Sequence, residues 1–598
     1  MQIIYHKSSV LTIPQKYFIE RSIEILYRGT MDSYRVRVKS PRTIMLELKD
    51  SIEAFEKGKI KHFISIAAKE KGGYAIKDEA LDALTITPNY LSFSTFSAKY
   101  FKKMLEQLAE TNYKQVKDCL RLLLDENQDY LDRVISGLNQ LLSQNPSEPD
   151  IRIDLLQALD ISIGILFTEL LETGFSKGFL YRYLYGAFVN NLDDTTIFQY
   201  RFDEFISRIK NTQTIYNIVF RVDTTSKVRQ AIQPLENDAE VYDLLEGLEV
   251  FAGNKEFDNF NTPRKNRFFI KCKIIAPDYL TGLKIAKATI AENLDVLNLG
   301  FADEYLIIHS RVLVIDTGNI PKAQFQESKN FLDGKYKVAK EHYEEFILKL
   351  PQINANTKII QETKDKIKSA IRYLRLGNES TEVEHKFINY WIGLEYLFSN
   401  YESNNTINRI KDYFVACHAL NYVKRNTLDF FKSVLNLQQS EISNLEGYSS
   451  DPISSLTNPQ FYQSIFNNML DTHPLLAYRA KLLSEKLCPV NGPAKINHYV
   501  TRHQKNLMIH FTRIYRLRNE IIHDAATNTN NESIASNLRY YLTFILNGII
   551  YYLSTSSKDK NCIEDYFTLN EIYLGNIEFN GWQLEQLLRV TTSMEFIQ

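Results

Sequence analysis

From about residue 335 to the end of the chain, apolar residues recur every three to four positions, the period of helices that bury one stripe. Within that pattern one run breaks its own rule. In YRLRNEIIH, residues 515–523, an arginine falls where the stripe calls for a hydrocarbon. With Ile514 as origin and about 100° per residue, Leu517 lies near ~300°, Ile521 near ~340°, Ile522 near ~80° and Tyr515 near ~100°. Arg518 falls near ~40°, inside that arc, while Asn519, His523 and Arg516 form a separate polar stripe between ~140° and ~200°. A charge in an apolar arc needs a partner or an exit along its own stem, because an isolated buried charge is very costly. Glu395 is the candidate partner: in KFINYWIGLEYLFSN it sits on or beside the stripe of Phe387, Ile388, Trp391, Leu394 and Phe398. Such a pair could orient Arg518 for chemistry, or it could simply fix helix register.

The same region carries a local charge surplus. From Lys486 through Asn519 there is no Asp or Glu, and Lys486, Lys495, Arg502, Lys505, Arg513, Arg516 and Arg518 supply seven cations. The formal net charge of the chain is −1, so any nucleic-acid surface must be local, and this stretch is where phosphate contacts are expected. Arg502, Lys505, Arg513 and Arg516 are the candidate phosphate contacts, with Tyr515 as a base-stacking ring. The alternative is a basic face balanced by acidic neighbours in the fold. His523 stands one turn from the expected helix end, before TNTNN, where a helix C-terminus favours the protonated imidazole.

The rest of the chain sets the frame. At 598 residues, two to four domains are expected. Residues 1–100 mix strand-like runs (SYRVRVKS, RTIMLELK) with polar breaks, and residues 101–199 read as mainly helical. Residues 200–350 look α/β, with strands at YNIVFRVD, RFFIKCKII and EYLIIHSRVLVID and a helix at LTGLKIAKATIAENL. A boundary is expected near 350, at KLPQINANTK, opening a helical domain over 351–555 and a C-terminal extension over 556–598. The fold class is therefore α+β and multidomain: a mixed α/β N-terminal region followed by an all-α bundle. Five scattered cysteines, no basic-then-apolar leader and no apolar run of about 20 residues point to a cytoplasmic chain without a membrane span. No Walker loop, GxSxG, HExxH or EF-hand pattern is present, and no metal or cofactor is expected.

RNEIIH, with Arg518, Asn519 and His523, resembles the RNxxxH form of the Arg-x4-6-His motif of HEPN domains (higher eukaryotes and prokaryotes nucleotide-binding). KFINYWIGLEYLF resembles the first long helix of the ApeA-like subgroup, and INRIKDYF a following helix. HFTRIYRLRNEIIHDA resembles the motif helix and LRYYLTFILNGIIYYL the closing one, so the likeness spans residues 360–555. It implies a helical bundle that dimerises, with two motif copies facing a shared cleft, and for many such domains a metal-independent endoribonuclease, several of them in antiviral defence. Carried onto this chain, His523 would be the acid/base, Arg518 would stabilise charge on the phosphorane, and Asn519 would be the polar helper. RNA, with tRNA as one candidate, would be the substrate, and the partners would be a second copy through the HEPN domain and a phage-derived trigger at residues 1–350, a sensor or regulatory region. The alternative is a non-catalytic HEPN protein that binds RNA, a nucleotide or another protein.

Overall fold

The computed structural model describes the chain except residues 1, 30–38, 61–62, 64–65, 68–74, 147, 226–239, 244, 246–254, 301–305, 318–321, 328–331, 333–339, 381, 400–405, 491–494, 525–531, 557–560 and 591–598, and except the side chains of 149–150, 291–300, 306, 322–323, 340–346 and 523–524. It divides into two compact units. Residues 1–169, 184–198 and 333–598 make a helical unit, and residues 170–183 and 199–332 make a unit that carries the sheet. The α+β class holds at this level.

The first hundred residues are helical rather than β-rich among those described, with helices Ile13–Leu26, Pro41–Glu56 and Ile76–Ala83. RTIMLELK, expected as a strand, lies inside the second of these, and most of SYRVRVKS lies outside the described residues. The reason is local. Ser40 caps the helix by accepting from the Thr43 N–H, and Pro41 occupies the first turn, where its missing donor does no harm. Ile44, Met45, Leu48 and Ile52 then share one face at helical spacing, and all four are buried against Phe101, Leu105 and Leu120 of the next helices. The alternation of RTIMLELK misleads because it is short enough to fit either period.

In the C-terminal part, helices Gln361–Glu379, Val383–Phe398, Val415–Val434, Ile496–Asp524, Glu532–Thr555 and Ile563–Phe579 follow in order. A π-helical turn, Ile410–Phe414, leads into the third. It sets the Phe414 ring against Phe511 at 4.9 Å and Tyr541 at 5.0 Å, so three helices meet on one ring. Phe567 stacks on Phe398 at 4.6 Å, which ties the expected C-terminal extension into the same helical array. The break expected near 350 does not fall at the proline: Pro351 lies inside helix Lys340–Ala355. No described helix is long and apolar enough to cross a membrane.

Gly377 shows how tightly the first two C-terminal helices of this set meet. A Cβ there would run into the ring of Tyr390, which is fully buried and whose hydroxyl donates to Asn378 Oδ1 at 2.9 Å. Gly377→Ala is expected to destabilise the helical unit by about 1–3 kcal/mol despite alanine's better helix propensity. A urea titration checks this, and an unchanged midpoint would contradict the packing.

The sheet unit holds five antiparallel strands: β1 (Thr214–Thr224), β2 (Glu240–Tyr242), β3 (Arg267–Ala276), β4 (Leu306–Asp316) and β5 (Lys322–Glu327), in the order β2-β3-β1-β4-β5. The three long strands and the helix Tyr279–Gly300 fall where the sequence predicts them, but the pairing is antiparallel, so this is not a parallel α/β layer. Alternation sorts the faces. Ile218, Phe220, Val222, Ile270 and Val312 pack with Leu283, Ala286 and Ile290 of that helix. Val219, Phe269, Leu313 and Ile315 face the other way, against Phe257 and Phe260 of the short helix Lys255–Phe260.

Candidate functional site

The motif helix runs unbroken from Ile496 to Asp524. Leu507, Phe511, Ile514 and Leu517 form its buried stripe; of the arc that the wheel predicts, Ile514 and Leu517 are buried, Tyr515 and Ile521 half-buried, and Ile522 exposed. Trp391 of helix Val383–Phe398 meets it ring to ring at Tyr515, 6.0 Å between centroids, so Tyr515 is a half-buried packing residue here. Arg518 and Asn519 are both half-buried, and Arg518 Nη1 donates to Asn519 Oδ1 at 3.0 Å. Arg518 Nε is buried with no acceptor, and the guanidinium forms no ion pair among the described residues. His523 lies in the last turn of the helix, and its side chain lies outside the described residues. Five residues separate it from Arg518, so the two leave one helix about 140° apart.

Glu395 is not the partner of Arg518. Its Oε2 accepts from Trp391 Nε1 at 2.9 Å, one turn back on its own helix. The indole N–H is the nearer donor, and it must be satisfied once Trp391 is buried. A double-mutant cycle of Glu395→Gln and Arg518→Gln is therefore expected to give a coupling below about 0.5 kcal/mol. A coupling above about 1.5 kcal/mol would restore the direct pair.

Three of the seven cations of the basic stretch are neutralised from the other end of the sequence. Arg513 is buried, and it donates to Glu47 from Nε at 3.0 Å to both oxygens and from Nη2 at 2.8 Å. The same Nη2 reaches Glu79 Oε2 at 2.5 Å. Arg516 donates to Glu47 Oε1 at 2.5 Å and to Ser51 Oγ at 2.8 Å, and lies 3.7 Å from Glu520. Lys505 pairs with Asp82 at 2.6 Å. Three of the four expected phosphate contacts, Lys505, Arg513 and Arg516, are thus held by carboxylates of helices Pro41–Glu56 and Ile76–Ala83. Of the four, only Arg502 is exposed and outside any ion pair among the described residues. Lys486 lies over the Tyr499 ring at 5.3 Å, and burial, then the Arg502 charge, pulls its ammonium below the usual range.

Burial alone would raise the Glu47 carboxyl, but the Arg513 and Arg516 charges outweigh it and hold it far below the carboxylate range. At Glu79 burial wins over Arg513, and the Glu47 charge adds to it, so that carboxyl is raised. Arg513 itself is pushed above its ordinary value by the two carboxylates against the opposing effect of burial. Sequence reasoning missed these partners because more than four hundred residues separate them from the motif. A local sign was nonetheless present: Glu47 and Ser51 fall on the buried face of helix Pro41–Glu56, the same misplacement that singles out Arg518.

A second polar cluster also went unread. His418 Nδ1 and His503 Nε2 are 2.9 Å apart in the interior, and Tyr422 stacks on His503 at 3.5 Å between centroids. One imidazole donates and the other accepts, so this pair links the motif helix to helix Val415–Val434 by one shared proton. Among the described residues no group of three or more His, Cys, Asp or Glu side chains could hold a metal ion. No family model, no curated protein and no solved structure matches this chain.

Proposed function

We propose that the chain is an endoribonuclease of the HEPN type that cuts RNA through the 2′-hydroxyl without a metal, acting as a homodimer. The observation that carries this reading is the state of Arg518. One turn earlier on the same helix, Arg513 is saturated by two carboxylates, whereas Arg518 keeps a buried Nε without an acceptor and no carboxylate among the described residues. A half-buried guanidinium in that condition is a site for an external anion, and phosphate matches its planar fork.

In the proposed reaction the 2′-oxygen attacks phosphorus as its proton leaves to a base, and the P–O5′ bond breaks as that oxygen takes up a proton. The products are a 2′,3′-cyclic phosphate and a 5′-hydroxyl. RNA supplies its own nucleophile, so the enzyme need only move protons and stabilise the crowded phosphorus. His523 is assigned the proton transfers, Arg518 the phosphorane charge, and Asn519 the orientation of Arg518 through their hydrogen bond. The ~140° divergence of Arg518 and His523 along one helix is the reason a second copy is part of the proposal.

The carboxylates of helices Pro41–Glu56 and Ile76–Ala83 hold the motif helix within about a turn and a half of Arg518, which supports control by the N-terminal region; a phage component is the proposed trigger. The neutralisation of Arg513 and Arg516 favours a second reading, a non-catalytic HEPN module that binds RNA or a nucleotide through fewer cations. Expression of the wild type beside His523→Ala, with and without phage challenge, separates the two. The nuclease reading expects broken tRNA or total RNA in the wild type only. Intact RNA in both under challenge would select the binding module.

A further inference from the structure

The sheet unit carries a cationic cluster that the ribonuclease reading does not use. It lies at one end of the sheet, on the face that packs against helix Lys255–Phe260. Asp223 on β1 stands opposite Arg267 on β3, and the β1–β4 register is broken between Phe220 and Val222 by a bulge that adds residues on β4. Arg221 sits at that break, across from the segment His309–Arg311, and His309 Nδ1 accepts from the Arg311 N–H at 3.1 Å within the bulge.

One carboxylate serves two guanidiniums there. Asp223 Oδ1 accepts from Arg267 Nε at 2.8 Å, and Oδ2 from Arg221 Nη2 at 3.4 Å. Arg267 Nη1 donates to the Thr262 carbonyl at 2.7 Å, but Nη2 has no acceptor, and only 1% of that side chain is exposed. Arg221 Nε is likewise buried without an acceptor, and its Nη1 has only a 3.4 Å contact with the Asn259 carbonyl. Thr225 Oγ1, just past the end of β1, is a third buried donor without a partner. Arg264, whose carbonyl accepts from the Arg267 N–H at 3.1 Å, adds an exposed cation. Arg311 is already matched by Glu256 at 2.5 Å, so it does not relieve the imbalance.

Arg221 and Arg267 therefore share a single carboxylate, and the Arg264 charge lies near enough to act on Arg221. The field is visible in its neighbours. Burial, then the Arg267 charge, lowers Arg221 below the usual arginine range. Burial, then the Arg221 charge, lowers His309, so it adds no cation at neutral pH. Burial would raise Asp223, but the hydrogen bond from Arg267 and the two arginine charges hold it below its ordinary value. A buried N–H without an acceptor is costly, and two guanidiniums with unused donors sharing one acid is an arrangement that an added anion completes.

We propose that the Arg221–Arg264–Arg267 cluster is a binding site for a small phosphate-bearing ligand, either inorganic phosphate or the terminal phosphates of a nucleotide. Asp223 is partly exposed and Arg264 exposed, so the ligand enters beside Asp223 and takes up the donors that Asp223 leaves unused. Arginine suits this task better than lysine, because its fork gives a phosphate two parallel hydrogen bonds. The site makes no use of Arg518 or His523.

Isothermal titration of the full chain with inorganic phosphate, pyrophosphate and ATP tests it. Saturable binding is expected, weakened about tenfold or more by Arg221→Gln and by Arg264→Gln and weakened further by added salt. Arg264 is exposed, so Arg264→Gln is expected to keep the wild-type circular dichroism; only 13% of the Arg221 side chain is exposed, so the spectrum of Arg221→Gln is checked beside it, and Arg267→Gln risks the fold. Equal affinity for the three probes assigns a free phosphate, and ATP about tenfold tighter than phosphate assigns a nucleotide. No binding of any probe at about 10 mM, or binding that both variants leave unchanged, overturns the proposal. None of these readouts depends on RNA cleavage.

Discussion

Replacing Arg513 with methionine is expected to destabilise the helical unit by about 3–5 kcal/mol, the loss seen when one partner of a buried ion cluster is removed. Glu47 and Glu79 would be left in the interior without their shared guanidinium, Glu47 still facing Arg516 and Lys39. The loss is therefore one of uncompensated carboxylates more than of attraction. Hydrogen exchange over helices Pro41–Glu56 and Ile76–Ala83, with a urea titration, reads it. The triple change Arg513→Met, Glu47→Leu, Glu79→Leu is expected to recover most of the stability, because hydrophobic replacements of a buried ion cluster are often neutral or better. A single variant as stable as the wild type would mean that the clamp does not hold these helices.

The two carboxylates act in opposite directions with pH. Glu47 has a folded value below its unfolded one, near about 4.3, so its contribution is present above that pH and is lost as pH falls toward the folded value. Glu79 has a raised folded value, so its contribution is full below about 4.3 and is lost as pH rises through the folded value. At pH 7 Glu79→Gln is thus expected to cost much less than Glu47→Gln.

The second large effect is on catalysis. Arg518→Ala is expected to lower RNA cleavage by about 10²–10³-fold and His523→Ala by about 10²–10⁴-fold, the usual worth of charge stabilisation and of acid–base help. Arg518 holds no carboxylate among the described residues, so its removal is expected to cost less than about 1 kcal/mol of stability. This contrast with Arg513, on the same helix, is what the proposed nuclease predicts for a structural arginine beside a functional one. Loss of cleavage accompanied by unfolding would erase the distinction.

The helical period around Ile514 and the strands at Thr214–Thr224, Arg267–Ala276 and Leu306–Asp316 were legible because each pattern is long enough to exclude the other period. RTIMLELK was not, being a helical stripe cut to strand length. The misfit of Arg518 was visible on the wheel, but its expected partner was not found, since Glu395 is claimed by Trp391 within its own helix. The acid-free run from Lys486 to Asn519 looked like a phosphate surface because a linear reading counts only neighbours in sequence. Glu47, Glu79 and Asp82 arrive through tertiary packing and convert Arg513, Arg516 and Lys505 into a structural seam. The arginine cluster of the sheet was equally hidden: it depends on antiparallel register and a bulge that no local spacing announces.

The most direct test is incubation of the purified chain, in the presence of a chelator, with a defined RNA and with the same sequence as DNA, followed by analysis of the new ends. The account predicts that the RNA alone is cut, leaving 2′,3′-cyclic phosphate and 5′-hydroxyl termini, and that Arg518→Ala and His523→Ala are inactive. Cleavage that needs an added divalent ion, that cuts both polymers alike, or that survives both substitutions would contradict it.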